Sequence, residues 1–236
     1  KYISLWDKSA EENDYAGHLE TTRDADVIVV GGGFTGLSTA YHGAKLGLDM
    51  HVLEANKIGY GGSGRNTGLV NAGLWLPPQD VNKKLGTETG ASLIETLGKM
   101  PEYVFSLIEK HQIQCEATQN GTIHAAHSLA GLKNLEARAQ EWQRLGAPVE
   151  LLTAKETEKK TGTKRFYGGL LDNRAGTINP MGYVRGLARI ALAAGARIST
   201  GIHVEKLARE NGLWQVQFGE QTVSYTHLTL PTTSPV

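Results

Sequence analysis

An apolar run that closes in glycines, a helix opened by those glycines and a second apolar run ending in an acid predict an α/β fold. It is entered through a Rossmann-type βαβ unit over residues 26–54. Asp26-Val-Ile-Val-Val30 has no polar residue after its first, as expected of a parallel strand buried on both faces. Phe34 to Leu46 is rich in Ala and Leu and reads as the helix, and His51-Val-Leu-Glu54 as the second strand. Between strand and helix, Gly31, Gly33 and Gly36 form the pattern G-x-G-x-x-G. Gly31 permits a tight turn, Gly33 lets backbone approach a pyrophosphate, and Gly36 lets helix and strand pack closely. The helix N-terminus then offers unpaired N–H groups and a partial positive charge to phosphate. Glu54 stands about twenty residues on, where a carboxylate accepts from ribose hydroxyls and repels a 2′-phosphate.

The following elements are read in order. Residues 1–24 are a polar lead-in without the shape of a signal peptide, and the absence of an initiator Met suggests an incomplete start. Ile58 to Gly73 is a glycine-rich loop, and the Pro77-Pro78 pair ends it. Ser92 to Ile108 has helical spacing, with Leu93, Ile94, Leu97, Val104, Leu107 and Ile108 on one face and a kink or fresh start expected at Pro101. Gly121 to Ala125 reads as a strand and Leu129 to Leu145 as an amphipathic helix whose inner stripe includes Leu132, Leu135, Ala139 and Trp142. Thr153-Ala-Lys-Glu156 is a capping box, and Asn179-Pro180 a helix entry with Asn as cap and Pro in the first turn. Arg197–Thr200, His203–Leu207 and Leu213–Phe218 read as three strands forming a β-meander, the last two joined by an Asn211-Gly212 turn.

Composition narrows the function classes. With 24 basic and 24 acidic residues the formal charge is zero, so no global basic field exists for nucleic acid or an anionic membrane. The single Cys115 cannot form an internal disulfide, which places the chain in a reducing, cytoplasmic setting. No apolar run is long enough to span a bilayer. His124 and His127 lack further ligands at zinc spacing, so no metal is expected. The Lys155–Arg165 basic stretch is interleaved with Glu156 and Glu158 and reads as a solvated helix face. Tyr103 and Trp142 lie on helical stripes and read as core.

The βαβ unit argues for a dinucleotide but leaves its identity open. A nicotinamide-dependent dehydrogenase and a non-catalytic nucleotide-binding module both remain compatible. Gly59-Tyr-Gly-Gly-Ser-Gly-Arg-Asn-Thr-Gly68 favours FAD, because a long glycine-rich loop just past the ribose-binding acid can follow an extended cofactor. Arg65 adds a cation and Asn66 a two-way hydrogen-bonding group.

Asp26 to Ala40, Val52 to Ala55 and Gly62-Ser-Gly-Arg-Asn-Thr-Gly68 together resemble the D-amino-acid-oxidase-like FAD-dependent oxidoreductases, in their gamma-glutamylputrescine oxidoreductase branch. Gly62 and Thr67 depart mildly from that branch's loop, where Ala and Gly are common. The resemblance runs from Asp26 to Thr222. It implies Gly31, Gly33, Thr35 and Gly36 at the pyrophosphate, Glu54 on the adenosine ribose, and Ala55 and Val204 at the adenine. Ser63, Arg65, Asn66, Thr67 and Gly68 then run toward the flavin. It further implies oxidation of an amine or amino acid by hydride transfer to FAD, with a small-molecule substrate as the partner and no catalytic side chain assigned.

Val223-Ser-Tyr-Thr-His-Leu-Thr-Leu-Pro-Thr232 departs from the family sequence and reads as a translated library adapter. The expected architecture is therefore an α/β, Rossmann-type FAD-binding domain, βαβ plus three-stranded β-meander, with an inserted and incomplete α+β substrate domain. The FAD-binding domain would occupy 1–85 and 149–222, the partial substrate domain 86–148, and a non-native tail 223–236. Such a chain would be an N-terminal fragment, inactive by itself.

Overall fold

The computed structural model describes residues 3–17, 25–74, 76–219 and the backbone of 221–229. In chain order the first elements are α1 (Leu5–Ser9), β1 (Ala25–Val30), α2 (Phe34–Lys45), β2 (Met50–Glu54), β3 (Leu69–Val70), α3 (Pro78–Leu85), α4 (Thr87–His111), β4 (Thr122–Ala126) and α5 (Leu129–Arg144). There follow β5 (Val149–Thr153), α6 (Ala154–Thr161), β6 (Gly168–Asp172), β7 (Gly176–Thr177), α7 (Pro180–Ala193), β8 (Arg197–Thr200), β9 (Lys206–Glu210), β10 (Leu213–Phe218) and β11 (Gln221–Thr229). Packing divides the chain into one unit of residues 1–67, 111–116 and 179–236 and another of 68–110 and 117–178.

The first unit is built on a six-stranded sheet in the order β8-β2-β1-β11-β10-β9. Strands β8, β2, β1 and β11 run parallel, and β10 and β9 continue antiparallel from β11. Strands β1 and β2 are largely apolar because both faces are covered: Ile28, Val29, Val52 and Leu53 are at most 1% exposed. Helices α2 and α7 pack together, and Leu37, Met181, Val184 and Leu187 are buried to the same degree. Asn179 caps α7 by accepting from Gly182 N at 3.0 Å, as its position before Pro180 predicts. Asn211 (φ 51°) and Gly212 (φ 83°) both have positive φ, the signature of the tight hairpin turn expected between β9 and β10.

The second unit holds the antiparallel sheet β4-β6-β5 and the short pair β3-β7. Helix α5, capped by Ser128, buries Leu135, Ala139 and Trp142 against Ala126, Val149 and Leu170. Helix α6 carries the full capping box of Thr153 and Glu156. Pro101 lies inside one uninterrupted helix, α4, so the expected fresh start there does not occur.

Two expectations are corrected. The inserted substrate domain was expected to be incomplete, yet residues 122–172 form a three-stranded sheet with its own buried cluster. The foreign-tail reading of Val223 onward is also overturned. Strand β11 pairs parallel with β1, Ala25 opposite Tyr225, and antiparallel with β10, Phe218 opposite Gln221. The meander is therefore β9-β10-β11, while Arg197–Thr200, expected as its first strand, instead pairs with β2 on the far side of the sheet. The physical reason is an edge: without β11, the backbone groups of β1 on that side would lack ladder partners. Residues 230–236 of the expected tail, like 1–2 and 18–24 of the lead-in, lie outside the described residues.

Candidate functional site

The turn from β1 into α2 is set by three glycines with three separate requirements. Gly31 adopts φ 104°, which side chains other than glycine rarely take, and its N–H donates to Leu53 O at 2.8 Å. Gly33 is the N-cap of α2, and a Cβ there would stand 2.8 Å from Ser63 Oγ. A Cβ on Gly36 would come within 2.0 Å of Gly31 O and 3.1 Å of Val29 Cγ1, so only glycine lets α2 approach the end of β1. Thr35, exposed in the same first turn, accepts at its carbonyl from Thr39 Oγ1 at 2.8 Å.

Around this turn the structure gathers two further groups. Ser63 Oγ accepts from Phe34 N at 3.0 Å, supplying an acceptor to one of the amides that a helix N-terminus leaves without an intrahelical partner. Glu54, at the end of β2, accepts from Gly32 N at 2.6 Å through Oε2 and from Asn56 N at 2.8 Å through Oε1. Its carboxylate is thus fixed beside the turn. No acid stands in the first turn of α2, so an anion approaching that helix end meets the amide dipoles without a repelling side chain. Backbone donors at a helix start, a hydroxyl and a fixed carboxylate form a donor and acceptor set suited to a diphosphate joined to a ribose. These residues fit a dinucleotide such as FAD.

The remaining sequence-selected residues are placed as follows. Ala55 is exposed next to Glu54. The segment after β8 runs beside this end, with Ile202 N donating to Glu54 O at 2.9 Å and Gly201 N to Asn56 O at 3.2 Å. Val204 lies between β8 and β9 rather than within a strand, half-buried against the cluster of Ala25, Ile28 and Leu53. Arg65 extends its guanidinium over the Tyr60 ring at 4.5 Å. Asn66 donates from Nδ2 to Gly62 O and Ser63 O, which holds the loop's single helical turn closed. Thr67 is exposed. Gly68, with φ 75°, accepts from Ile178 N at 2.8 Å and belongs to the second unit. Gly31, Gly33, Gly36, Glu54 and Ser63 therefore meet at one turn, and the rest lie along the loops leading away from it.

Sequence reasoning missed the part of the lead-in that supports this loop. Trp6 Nε1 donates to Asn66 O at 2.9 Å, and Asp7 pairs with Lys57 and, at 3.5 Å, with Arg185 of α7. Burial opposes the Asp7 charge, but bonds from Lys57 and Ser4 outweigh it and hold the carboxyl below its usual range. The available signal was the capping pattern Ser4-x-x-Asp7, which starts α1.

Residues 26–229 match the protein family described as DAO, FAD dependent oxidoreductase. Gamma-glutamylputrescine oxidoreductase of Escherichia coli strain K12 is 34% identical over 193 residues, covering 80% of this chain and 45% of that protein. Sarcosine oxidase subunit beta of Rhizobium meliloti strain 1021 is 32% identical over 196 residues, covering 79% and 44%. In fold, the chain is similar to glycine oxidase from Geobacillus kaustophilus, with a TM-score of 0.74 at 21% identity, covering 89% of this chain and 55% of that one. The chain spans about half the length of the curated relatives it matches. Because the match continues to Thr229, it corrects the expectation of an N-terminal portion followed from Val223 by unrelated sequence.

Proposed function

We propose, from the premise that this chain belongs to the DAO family of FAD-dependent oxidoreductases, that it serves an enzyme oxidising the C–N bond of an amine or amino acid. The observation that carries this reading is the turn at which Gly31, Gly33, Gly36, Ser63 and Glu54 converge on the start of α2. When bound, FAD supplies the hydride acceptor for a substrate carbon beside an unprotonated nitrogen. The chain's own residues bind and orient. Backbone at Gly31, Gly33, Thr35 and Gly36 holds the diphosphate, Glu54 the ribose, and Ala55 with Val204 the adenine. Ser63, Arg65, Asn66, Thr67 and Gly68 line the path toward the flavin.

The functional division proposed is an FAD-binding domain of residues 1–85 and 149–229, its end moved from 222 by the pairing of β11, around a substrate domain of 86–148. The packing units divide the chain at 68 and 178, so residues 149–178 belong by packing with the inserted sheet. A cytoplasmic setting is supported by the lone, buried Cys115. No helix among the described residues is long and apolar enough to cross a membrane.

Titration with FAD, followed by flavin fluorescence, tests the reading, with NAD as the competing ligand. FAD is expected to bind and NAD not to compete. Glu54→Gln is expected to weaken FAD by roughly 10- to 100-fold, the loss of one charged hydrogen bond. NAD binding without FAD binding, or unchanged FAD affinity in Glu54→Gln, would overturn it.

A further inference from the structure

Two adjacent residues of α1 reach the two ends of the glycine-rich loop of residues 57–66. Trp6 Nε1 donates to Asn66 O at 2.9 Å, and Asp7 pairs with Lys57. Between those ends Gly59, Gly61, Gly62 and Gly64 give the loop the residue type that loses most freedom on becoming ordered. The middle of the loop is fixed by packing on α7. A Cβ on Gly59 would stand 2.4 Å from Val184 Cγ1, and one on Gly64 2.3 Å from Met181 Cε. The ends are tied by the polar bonds to α1.

Helix α1 is held by polar contacts, not by a core. None of its five residues is buried, and Leu5 is 71% exposed. A helix this short does not persist alone in water. Asp7 couples its folding to its docking through two oxygens. Oδ2 accepts from Ser4 N at 3.1 Å and closes the capping box, while Oδ1 faces Lys57 and, at 3.5 Å, Arg185 of α7. Ser9 Oγ adds a bond from Asn179 Nδ2 at 3.0 Å. On the loop side the contact is passed inward. Asn66, whose carbonyl Trp6 holds, donates from Nδ2 to Ser63 O at 3.0 Å, and Ser63 Oγ accepts from Phe34 N at the start of α2. Only Asn66 and Ser63 separate Trp6 from the glycine turn.

We propose that α1 is a clip on the cofactor loop, with Trp6 and Asp7 as positioning residues that set how long FAD stays bound. This step rests on the function proposed above. Neither residue needs to touch the cofactor. By tying Asn66 and Lys57 they keep the loop in the arrangement in which Ser63 meets α2. Release of FAD requires the loop to open, and each bond from α1 raises the free energy of that opening.

Trp6→Phe keeps an aromatic ring and removes the N–H alone. The FAD dissociation rate is followed by flavin fluorescence after dilution. Loop order in the FAD-free protein is followed by hydrogen exchange at Arg65 and Asn66, whose amides donate to Gly62 O. Trp6→Phe is expected to speed both by about 2- to 10-fold, the loss of one hydrogen bond. Exchange at the β1 amides and the melting temperature are expected to stay unchanged, which a general loss of structure would not allow. Asp7→Asn, which withdraws the charge facing Lys57 and Arg185, is expected to speed both rates by roughly 10-fold or more. Should Asp7→Asn fail to fold, Trp6→Phe decides alone. Leu5→Ala, at an exposed position of the same helix, is expected to change neither rate. Unchanged FAD release in Trp6→Phe overturns the proposal, as does faster loop exchange without faster release, or an equal effect from Leu5→Ala. An unmodified protein that binds no FAD overturns the function on which this rests and the role of the clip with it. Normal FAD binding with release indifferent to Trp6 overturns the clip alone.

Discussion

Gly36→Ala sets two effects of opposite sign against each other at one residue. In an ordinary helix interior the change gains about 1 kcal/mol, the difference in helix propensity between Gly and Ala. Here the added methyl meets Gly31 O at 2.0 Å and Val29 Cγ1 at 3.1 Å. The first is a backbone atom in a turn fixed by the Gly31–Leu53 hydrogen bond, so it cannot swing away as a side-chain end would. Overpacking of this kind costs about 3 kcal/mol, the upper end of the usual range. The net loss is about 2 kcal/mol, which for a chain of this size lowers the melting temperature by about 4–8 °C. The same shift displaces the turn carrying Gly31 and Gly33, so FAD affinity should fall in parallel. Gly62→Ala is the matched control, because Gly62 opens the loop's single helical turn, is not among the glycines with positive φ, and has nothing within 4 Å of the new methyl. It should hold or raise the melting temperature, through about 0.4–1 kcal/mol of lost unfolded-chain entropy. Thermal melting by circular dichroism of both variants decides the matter. A Gly36→Ala protein melting at or above the unmodified one would refute the close-packing argument.

Two further tests concern the first unit. His51 is buried, with its ring bonded to Ser199 Oγ at 2.9 Å and Arg197 Nη1 at 3.3 Å from Nδ1. Because Arg197 can only donate, Nδ1 accepts and the proton sits on Nε2. Burial, then the Arg197 charge, push the pKa down to about 4, with Asp49 opposing. The fold thus prefers the neutral ring: this contribution is full above pH 6.5 and is lost as the pH falls toward 4. It amounts to about 2 kcal/mol lost by pH 5. His51→Gln should flatten the fall in melting temperature between pH 7 and 4.5, and an unchanged slope would assign that fall to other groups. Asn179→Ala removes the α7 cap together with Nδ2 bonds to Ser9 Oγ and Glu116 Oε1, and should cost about 2 kcal/mol in urea unfolding. A loss below about 0.5 kcal/mol would show that water replaces all three bonds.

What could be read from the sequence was local. Gly31, Gly33 and Gly36, the Thr153–Glu156 box, the Asn179-Pro180 entry and the Asn211-Gly212 turn each act within a few residues, and each stands where its chemistry predicts. The convergence of Ser63 and Glu54 on the turn was legible only in part, since their partners Phe34 and Gly32 lie 29 and 22 residues away. Helix α1 was hidden because its five residues bury none of their number, and it is held instead by Lys57 and Arg185, far along the chain. Strand β9 begins three residues later than its apolar pattern suggests, which leaves Val204 in the connection. Strand β11 was the largest miss. Its Gln-Thr-Val-Ser-Tyr-Thr-His-Leu-Thr sequence lacks the continuous apolar run expected of an inner parallel strand, and its identity comes from the partner it meets.

That partner sets a clock. Ala25 pairs with Tyr225, 200 residues later by subtraction, so one side of β1 waits for those residues to be made. At about 5–20 residues per second the interval is roughly 10–40 s, far longer than the time a hairpin or helix needs to form. During it β2 and β8 can join the other side of β1, while the side destined for β11 stays open to any strand that passes. For as long as the nascent chain carries that open edge, the glycine turn at the end of β1 is flanked by a sheet on one side alone, and the edge closes when β11 arrives.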